Sequence, residues 1–96
     1  MTTEQLLQQT VSVCNPMGLH TRPAAELVKI ASGFNAEITL EKVEEPGEEA
    51  DCRSILSLLM LAAADGTRLK LRVSGAEAEQ AMRAVTDFFE SRFGEE

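Results

Sequence analysis

Apolar and polar residues alternate along three stretches of the chain, as they do in strands with one buried face. The first stretch covers residues 10–14 and the second covers residues 36–41. The clearest is 67–74, in which leucine and valine alternate with arginine and lysine. A short strand at 50–53 would close a hairpin with the second stretch, across the polar Pro-Gly turn at 44–49.

In three further stretches the apolar residues recur three and four positions apart, which is the spacing of an amphipathic helix. The first predicted helix covers 21–32 and stops at Gly33, because glycine commonly ends a helix. The second covers 54–63 and begins at Ser54, a residue type that caps helix N-termini well. The third follows an apolar stripe over 78–93. The predicted order is therefore β-α-β-β-α-β-α.

Each predicted strand has one solvent-exposed face and one buried face, which favours an antiparallel sheet covered by helices on one side only. We predict an α+β fold, a four-stranded antiparallel sheet with three helices on one face. The chain has 96 residues, enough for one modest core, so we predict a single domain over 1–96. Within it, we expect a flexible tail at 1–8 and a frayed end at 94–96.

Charge and hydropathy exclude two classes of partner. The chain has 9 basic and 16 acidic residues, a net charge of −7, which argues against nucleic acid as the main partner. No apolar run is long enough to span a membrane, and the N-terminal residues lack the pattern of a signal peptide. We therefore expect a soluble cytoplasmic protein without membrane insertion.

The cysteine and histidine counts restrict the chemistry further. Cys14 and Cys52 are too few for a disulfide framework, and a single histidine, His20, rules out a two-histidine zinc site. We expect no metal and no cofactor, although a thiol switch between the two cysteines stays open. The acidic cluster at 41–51 lacks the spacing of a calcium loop and is expected to be a solvated loop.

The most informative segment is Gly-Leu-His-Thr-Arg-Pro-Ala-Ala at 18–25, where the first loop enters the first helix. A helix N-terminus attracts anions, and the guanidinium of Arg22 offers a fork of donors suited to phosphate. A neutral imidazole is a nucleophile, so His20 could accept a phosphoryl group there without a catalytic metal. The residues alone also allow an ordinary loop histidine, a Cys–His nucleophile pair, or a non-catalytic anion-binding regulatory module of α/β type.

In its strand-loop-helix context, the 18–25 segment resembles the active-site motif of the HPr family, the histidine-containing phosphocarriers of the phosphoenolpyruvate-dependent phosphotransferase system. The resemblance extends over about residues 9–93 and includes the element order and the serine that opens the second helix. It implies an HPr-like open-faced sandwich. The family has a sugar-uptake branch and a nitrogen-regulatory branch, NPr; residues 15–18 and 58–61 look more like the nitrogen branch.

The resemblance also implies roles for individual residues. His20 would carry the phosphoryl group on Nδ1, with Arg22 and the neighbouring Thr21 binding its oxygens. Enzyme I would be the donor and a IIA component the acceptor, so the protein would be a carrier with a covalent phosphohistidine intermediate rather than a stand-alone enzyme. Ser54 would match a serine that HPr kinase/phosphorylase modifies in many members, although Cys-Arg-Ser stands here where Gly-Lys-Ser is more usual.

Transient docking is the remaining implication. The positions that match the family's docking surface are Ile55, Leu56, Leu59 and Met17. Because a carrier must leave its partners quickly, we expect a monomer with weak interfaces. We also expect Arg22, Lys29 and Arg53 to keep the surface around His20 locally basic, despite the acidic net charge.

Overall fold

The computed structural model describes residues 5–95 and confirms the predicted order of elements. Those elements are β1 (Gln5–Ser12), α1 (Thr21–Ser32), β2 (Glu37–Lys42), β3 (Glu49–Asp51), α2 (Ile55–Met60), β4 (Arg68–Gly75), α3 (Ala78–Glu90) and a closing 3₁₀ turn (Arg92–Gly94). The four strands form one antiparallel sheet in the order β1-β4-β2-β3, so β1 and β3 are its edges. The predicted fold class is therefore confirmed.

Alternation along the strands produces the core. In β4, Leu69, Leu71 and Val73 are buried while the residues between them reach the open face of the sheet. Leu27 of α1 and Val85 of α3 are fully buried in the same cluster. Each such side chain contributes about 1.5–3 kcal/mol through its removal from water, so the sheet and helices stabilise each other.

The first strand is longer than its alternation predicts. It begins at Gln5 and pairs with β4 from Gln5–Gly75 to Ser12–Arg68, so residues 5–8, expected in a flexible tail, belong to the sheet. The pattern missed them because Leu-Leu-Gln-Gln at 6–9 does not alternate. The rest of the predicted tail, residues 1–4, lies outside the described residues.

The second helix is shorter than predicted. It ends at Met60 rather than at Ala63, and Ala62 adopts the left-handed φ of 52°. The amide of Leu61 donates to the carbonyl of Leu58, three residues earlier, which tightens the last turn. The chain then turns toward the core, where Leu61 and Ala63 are both buried.

The third helix also ends before its apolar stripe does. It stops at Glu90, and two consecutive residues, Arg92 and Phe93, take left-handed φ values of 58° and 60°. This turn carries Phe93 off the helix and buries it, with its ring centroid 5.2 Å from those of Phe88 and Phe89. Of the predicted frayed end, Glu95 donates its amide to the Arg92 carbonyl and accepts a hydrogen bond from Arg22 through its carboxylate, while residue 96 lies outside the described residues.

The two cysteines follow strands at opposite edges of the sheet. Cys14 comes after β1 and Cys52 after β3, which places them three strand spacings apart, roughly 14 Å. That is about twice the Cα–Cα distance of a disulfide, and both thiols are free. An intramolecular thiol switch is therefore excluded. Burial raises the pKa of the Cys52 thiol to about 12.

Candidate functional site

A tight loop between β1 and α1 fixes the start of the site. Asn15, a buried polar residue, accepts a hydrogen bond from the Gly18 amide through its backbone carbonyl, at 2.9 Å. Its side-chain oxygen accepts a second from the Met17 amide, at 2.8 Å. Gly18 has a φ of 68°, and a Cβ built there would lie 2.5 Å from the Ala63 carbonyl oxygen, so only glycine fits. The Leu19 amide then donates to that same oxygen, which joins the loop to the chain after α2.

His20 stands at the N-cap of α1. Its backbone is extended, its carbonyl accepts the first helical hydrogen bond from Ala24, and its side chain makes no capping bond. The imidazole is 26% exposed and is therefore available to a partner. Its Nε2 atom is buried and has no hydrogen-bond partner within residues 5–95.

The first turn of α1 suits an anion. Amides in the first turn of a helix lack intrahelical acceptors, and here Thr21 and Arg22 follow His20 directly while no acidic residue occurs in the turn. Thr21 is exposed beside them. In the sequence from Gln5 to Ala25, Arg22 is the only Asp, Glu, Lys or Arg residue. The three predicted residues His20, Thr21 and Arg22 thus lie together at the N-terminal end of α1, because they are consecutive in the chain.

The Arg22 guanidinium is occupied on every side. Nε donates to Glu95 Oε2 at 2.6 Å, Nη1 to Glu26 Oε2 at 2.5 Å, and Nη2 to the carbonyl of Phe93 at 2.8 Å. The hydrogen bond that Arg22 donates to Glu95, followed by the one that it donates to Glu26, raises the pKa of Arg22. Arg22 therefore links the start of α1 to the C-terminal turn.

Glu95 is the site residue that the sequence did not predict. Its Oε2 atom lies 3.2 Å from His20 Nε2, without the geometry of a hydrogen bond, and its Oε1 accepts from the side-chain amide of Asn15. The hydrogen bond from Arg22 is the main cause that lowers the pKa of Glu95. No spacing pattern joins residues so far apart in the chain; only the left-handed turn at Arg92 and Phe93 brings them together.

Comparison with known proteins identifies the family. The model of the family described as "PTS HPr component phosphorylation site" matches residues 7–91, most of the chain. The chain belongs to the HPr family. Members are phosphocarriers of the phosphotransferase system, and this chain transfers a phosphoryl group from enzyme I to a IIA component.

Individual relatives support the assignment over nearly the full length. Phosphocarrier protein NPr of Escherichia coli K12 is 39% identical over 90 residues, which cover 94% of this chain and 98% of NPr. Phosphocarrier protein HPr of Xylella fastidiosa Temecula1 is 36% identical over 91 residues, covering 95% and 99%. The solved structure of HPr-C-His from Thermoanaerobacter tengcongensis matches with a TM-score of 0.85 and 37% identity, covering 94% and 98%. Both HPr and NPr names thus occur at similar identity.

Most of the residues predicted to dock partners are exposed apolar side chains. Met17 and Leu56 are 71% and 65% exposed, Ile55 is exposed, and Leu59 is partly buried. Met60 was not among the predicted docking residues; it is 70% exposed and follows Leu56 by four residues, a spacing that places both on one face of α2. We call Met17, Ile55, Leu56 and Met60 the α2 patch.

Ser54 caps α2 as predicted. Its Oγ accepts a hydrogen bond from the Ser57 amide at 3.2 Å, and its backbone is extended. The cap role is independent of any phosphorylation, so it explains this serine without a kinase.

The basic surround expected for His20 is reduced to Arg22. Lys29 occupies the last turn of α1, roughly 12 Å along the helix from its start. Arg53 donates to the carbonyls of Phe34 and Ala36, both at 2.8 Å, beyond the C-terminal end of α1. The prediction is wrong for Lys29 and Arg53, because both lie near the C-terminal end of α1, whereas His20 is at its N-terminal end.

Two further findings concern residues 5–95. Among them no group of three or more His, Cys, Asp or Glu side chains is arranged to hold a metal ion. None of their helices is long and apolar enough to cross a membrane.

Proposed function

We propose that His20 is the residue on which this HPr-family carrier accepts and releases the phosphoryl group. The observation that carries the proposal is the single imidazole at the start of α1, next to Arg22 and to a helix turn without acidic residues. Nε2 is buried against Glu95, which favours the other nitrogen, Nδ1, as the nucleophile.

The transfer needs little beyond position and charge. The lone pair of Nδ1 attacks the phosphorus of phosphorylated enzyme I; a phosphorus–nitrogen bond to His20 forms while the bond from phosphorus to its donor atom breaks, and that electron pair returns to enzyme I. The oxygens of the phosphoryl group then face the first-turn amides, Arg22 and the hydroxyl of Thr21. Transfer to a IIA component is the same step with the carrier as donor.

Docking through the α2 patch is the second part of the proposal. The hydrogen bond from Leu19 to Ala63 joins the His20 loop to the end of α2, so a partner that covers the patch also reaches the imidazole. Use of one patch by enzyme I and IIA in turn requires small, quickly dissociating interfaces and suits a monomer that works in the cytoplasm.

Regulation at Ser54 is proposed on its location. A phosphate on this residue would sit at the N-terminus of α2, where negative charge is tolerated, and directly before the α2 patch. The added charge would oppose docking of an acidic or apolar partner surface. A kinase of the HPr kinase/phosphorylase type would be the partner for this modification.

The experiment incubates the protein with phosphoenolpyruvate, magnesium and enzyme I and records its intact mass. We expect an adduct of about 80 Da, the mass of a phosphoryl group, that is labile in acid and stable in alkali and that is lost in His20→Ala. Thr86→Ala, which changes a residue on α3, serves as a matched control and retains the adduct. An anion-binding module without transfer chemistry would show no adduct in the wild type while an established carrier is labelled.

A further inference from the structure

The strand β1 leaves one long edge of the sheet without a neighbour. Its residues Gln5–Ser12 pair with β4 on one side only, and no backbone hydrogen bond within residues 5–95 ties the other side to another segment. No charged residue occurs in the strand. A long edge strand without charges readily accepts another strand, because its free N–H and C=O groups lack partners. The outer edge of β1 is therefore a surface to which a further chain can bind.

A groove runs along this edge between β1 and α3. It consists of two adjoining cavities of about 400 and 410 Å³, which share Gln9 and Thr86 as lining residues. Gln9 lies opposite Leu71 of β4, and therefore on the face of the sheet that the helices cover, yet its side chain is exposed. The hydroxyl of Thr86 is buried without a hydrogen-bond partner within residues 5–95. The middle of the groove thus holds one polar side chain without cover and one without a partner.

We propose that a second copy of this chain occupies the groove, with the two β1 strands paired antiparallel about a two-fold axis near Gln9. Such pairing would satisfy the free backbone groups of both strands and join two four-stranded sheets into one. Because opposite residues of antiparallel strands share a face, Leu7 of one copy would lie opposite Val11 of the other. The side-chain amide of Gln9 would supply a hydrogen-bond donor to the hydroxyl of Thr86 in the second copy.

The charges along the groove are complementary to themselves under this two-fold axis. Arg83 lines the half of the groove beside Leu7, whereas Glu90 lines the half beside Val11. Both charged side chains are exposed, and neither forms an ion pair within residues 5–95. The axis sets the two halves against each other, so Arg83 of each copy would face Glu90 of the other. Opposite charges placed in this way determine the register of an interface.

One residue of the groove opposes the pairing and keeps it reversible. Asp87 lies next to Thr86 at the middle of the groove, so the two copies of Asp87 would approach each other near the axis and repel. His20 and the α2 patch lie outside the groove, so a paired carrier would still present them. The inference goes beyond the proposed function: the monomer remains the form in dilute solution, and pairs form by mass action as the concentration rises.

Sedimentation equilibrium of the full chain between about 10 µM and about 1 mM tests the pairing. The wild type should change from monomer to dimer over this range, and its amide NMR signals should move with concentration in β1 and α3 rather than in α2. Asp87→Asn should lower the dissociation constant about threefold or more, because it removes the repulsion at the axis. A wild type that stays monomeric at the highest concentration, or signals that move only elsewhere, would overturn the proposal.

Charge reversal tests which residues meet. Arg83→Glu and Glu90→Arg should each raise the dissociation constant about tenfold or more, since like charges then face each other twice. A mixture of the two variants should dimerise within about threefold of the wild-type constant, because each mixed pair regains two opposite-charge contacts. Lys29→Glu, at an exposed site on α1, changes the net charge as Arg83→Glu does and should leave the constant unchanged. Failure of the mixture to recover would contradict the two-fold arrangement.

Discussion

Single residues decide the shape of the functional loop. Gly18 combines a left-handed backbone with a backbone oxygen in the space where a Cβ would stand, and Asn15 supplies two of the loop's hydrogen bonds. The motif of the sequence therefore has a steric component beside its chemical one. Its histidine and arginine are the residues proposed to do the chemistry, while its glycine, together with Asn15 just before the motif, determines where the histidine begins the helix.

A glycine substitution measures that steric component. Gly18→Ala should lower the free energy of unfolding by about 2–4 kcal/mol, because it adds both strain and a clash with the Ala63 carbonyl. Gly47→Ala is the matched control, since Gly47 also has a positive φ but open space around it, and should cost about 1 kcal/mol. Urea unfolding gives both values; equal losses would show that the clash is relieved by a small shift.

The carboxylate of Glu95 supplies a pH dependence at the same scale. Its pKa is lowered in the folded protein from 4.5, so its contribution to stability is present above pH 4.5 and is lost as the pH falls through the lower folded value. A ¹³C NMR titration of the Glu95 carboxyl should give a midpoint below 4.5. In Arg22→Ala the midpoint should rise toward 4.5, and an unchanged midpoint would mean that Arg22 is not its cause.

At the scale of elements, periodicity predicted which segments are helices and strands but misplaced several of their ends. Alternation at 67–74 located β4 to within a residue, because one face of this strand is buried and carries apolar residues while the other is more exposed and carries basic ones. The end of α2 and the turn after α3 were missed, since both depend on left-handed residues, Ala62, Arg92 and Phe93, whose types do not favour that conformation. Tertiary packing imposes these turns, so the local sequence does not predict them.

The helix α2 also carries the docking prediction. Leu56→Ser and Met60→Ser each remove an exposed apolar side chain from the α2 patch and should lower kcat/KM for phosphorylation by enzyme I about fivefold or more, with little change in stability. Leu6→Ser is the matched control, because Leu6 is as exposed but lies on β1, away from the patch. A comparable loss in Leu6→Ser would point to a general effect of surface polarity.

At the scale of the whole molecule, several of the nine basic side chains form ion pairs with carboxylates of the protein itself. Arg22, Lys42, Arg68 and Arg72 each pair with a glutamate. The net charge of −7 is therefore not balanced by a free basic face around His20. The sequence alone overestimates the basic charge around His20, because it gives the number of charged residues but not the contact between Arg22 and Glu95, which are far apart in the chain.

The whole-molecule arrangement of the cysteines predicts two different thiols. Iodoacetamide at pH 8 should alkylate Cys14, which is exposed, and leave Cys52, whose pKa of about 12 and burial keep it protonated and inaccessible. Peptide mass mapping before and after unfolding in urea separates the two sites. Oxidation of dilute protein should yield no intramolecular disulfide, and the appearance of one would contradict the placement of the thiols at opposite edges.

The short third strand affects how readily this protein associates with other chains in concentrated solution. An exposed sheet edge invites another chain to add a strand, and a shuttle that meets several partners must avoid open-ended association with copies of itself. The edge at β3 is only three residues long, and its Ala50 is flanked by the carboxylates of Glu49 and Asp51. An edge strand this short, with an acidic residue on each side of Ala50, offers few backbone groups for an incoming strand to pair with. We therefore expect little strand addition at this edge of the sheet.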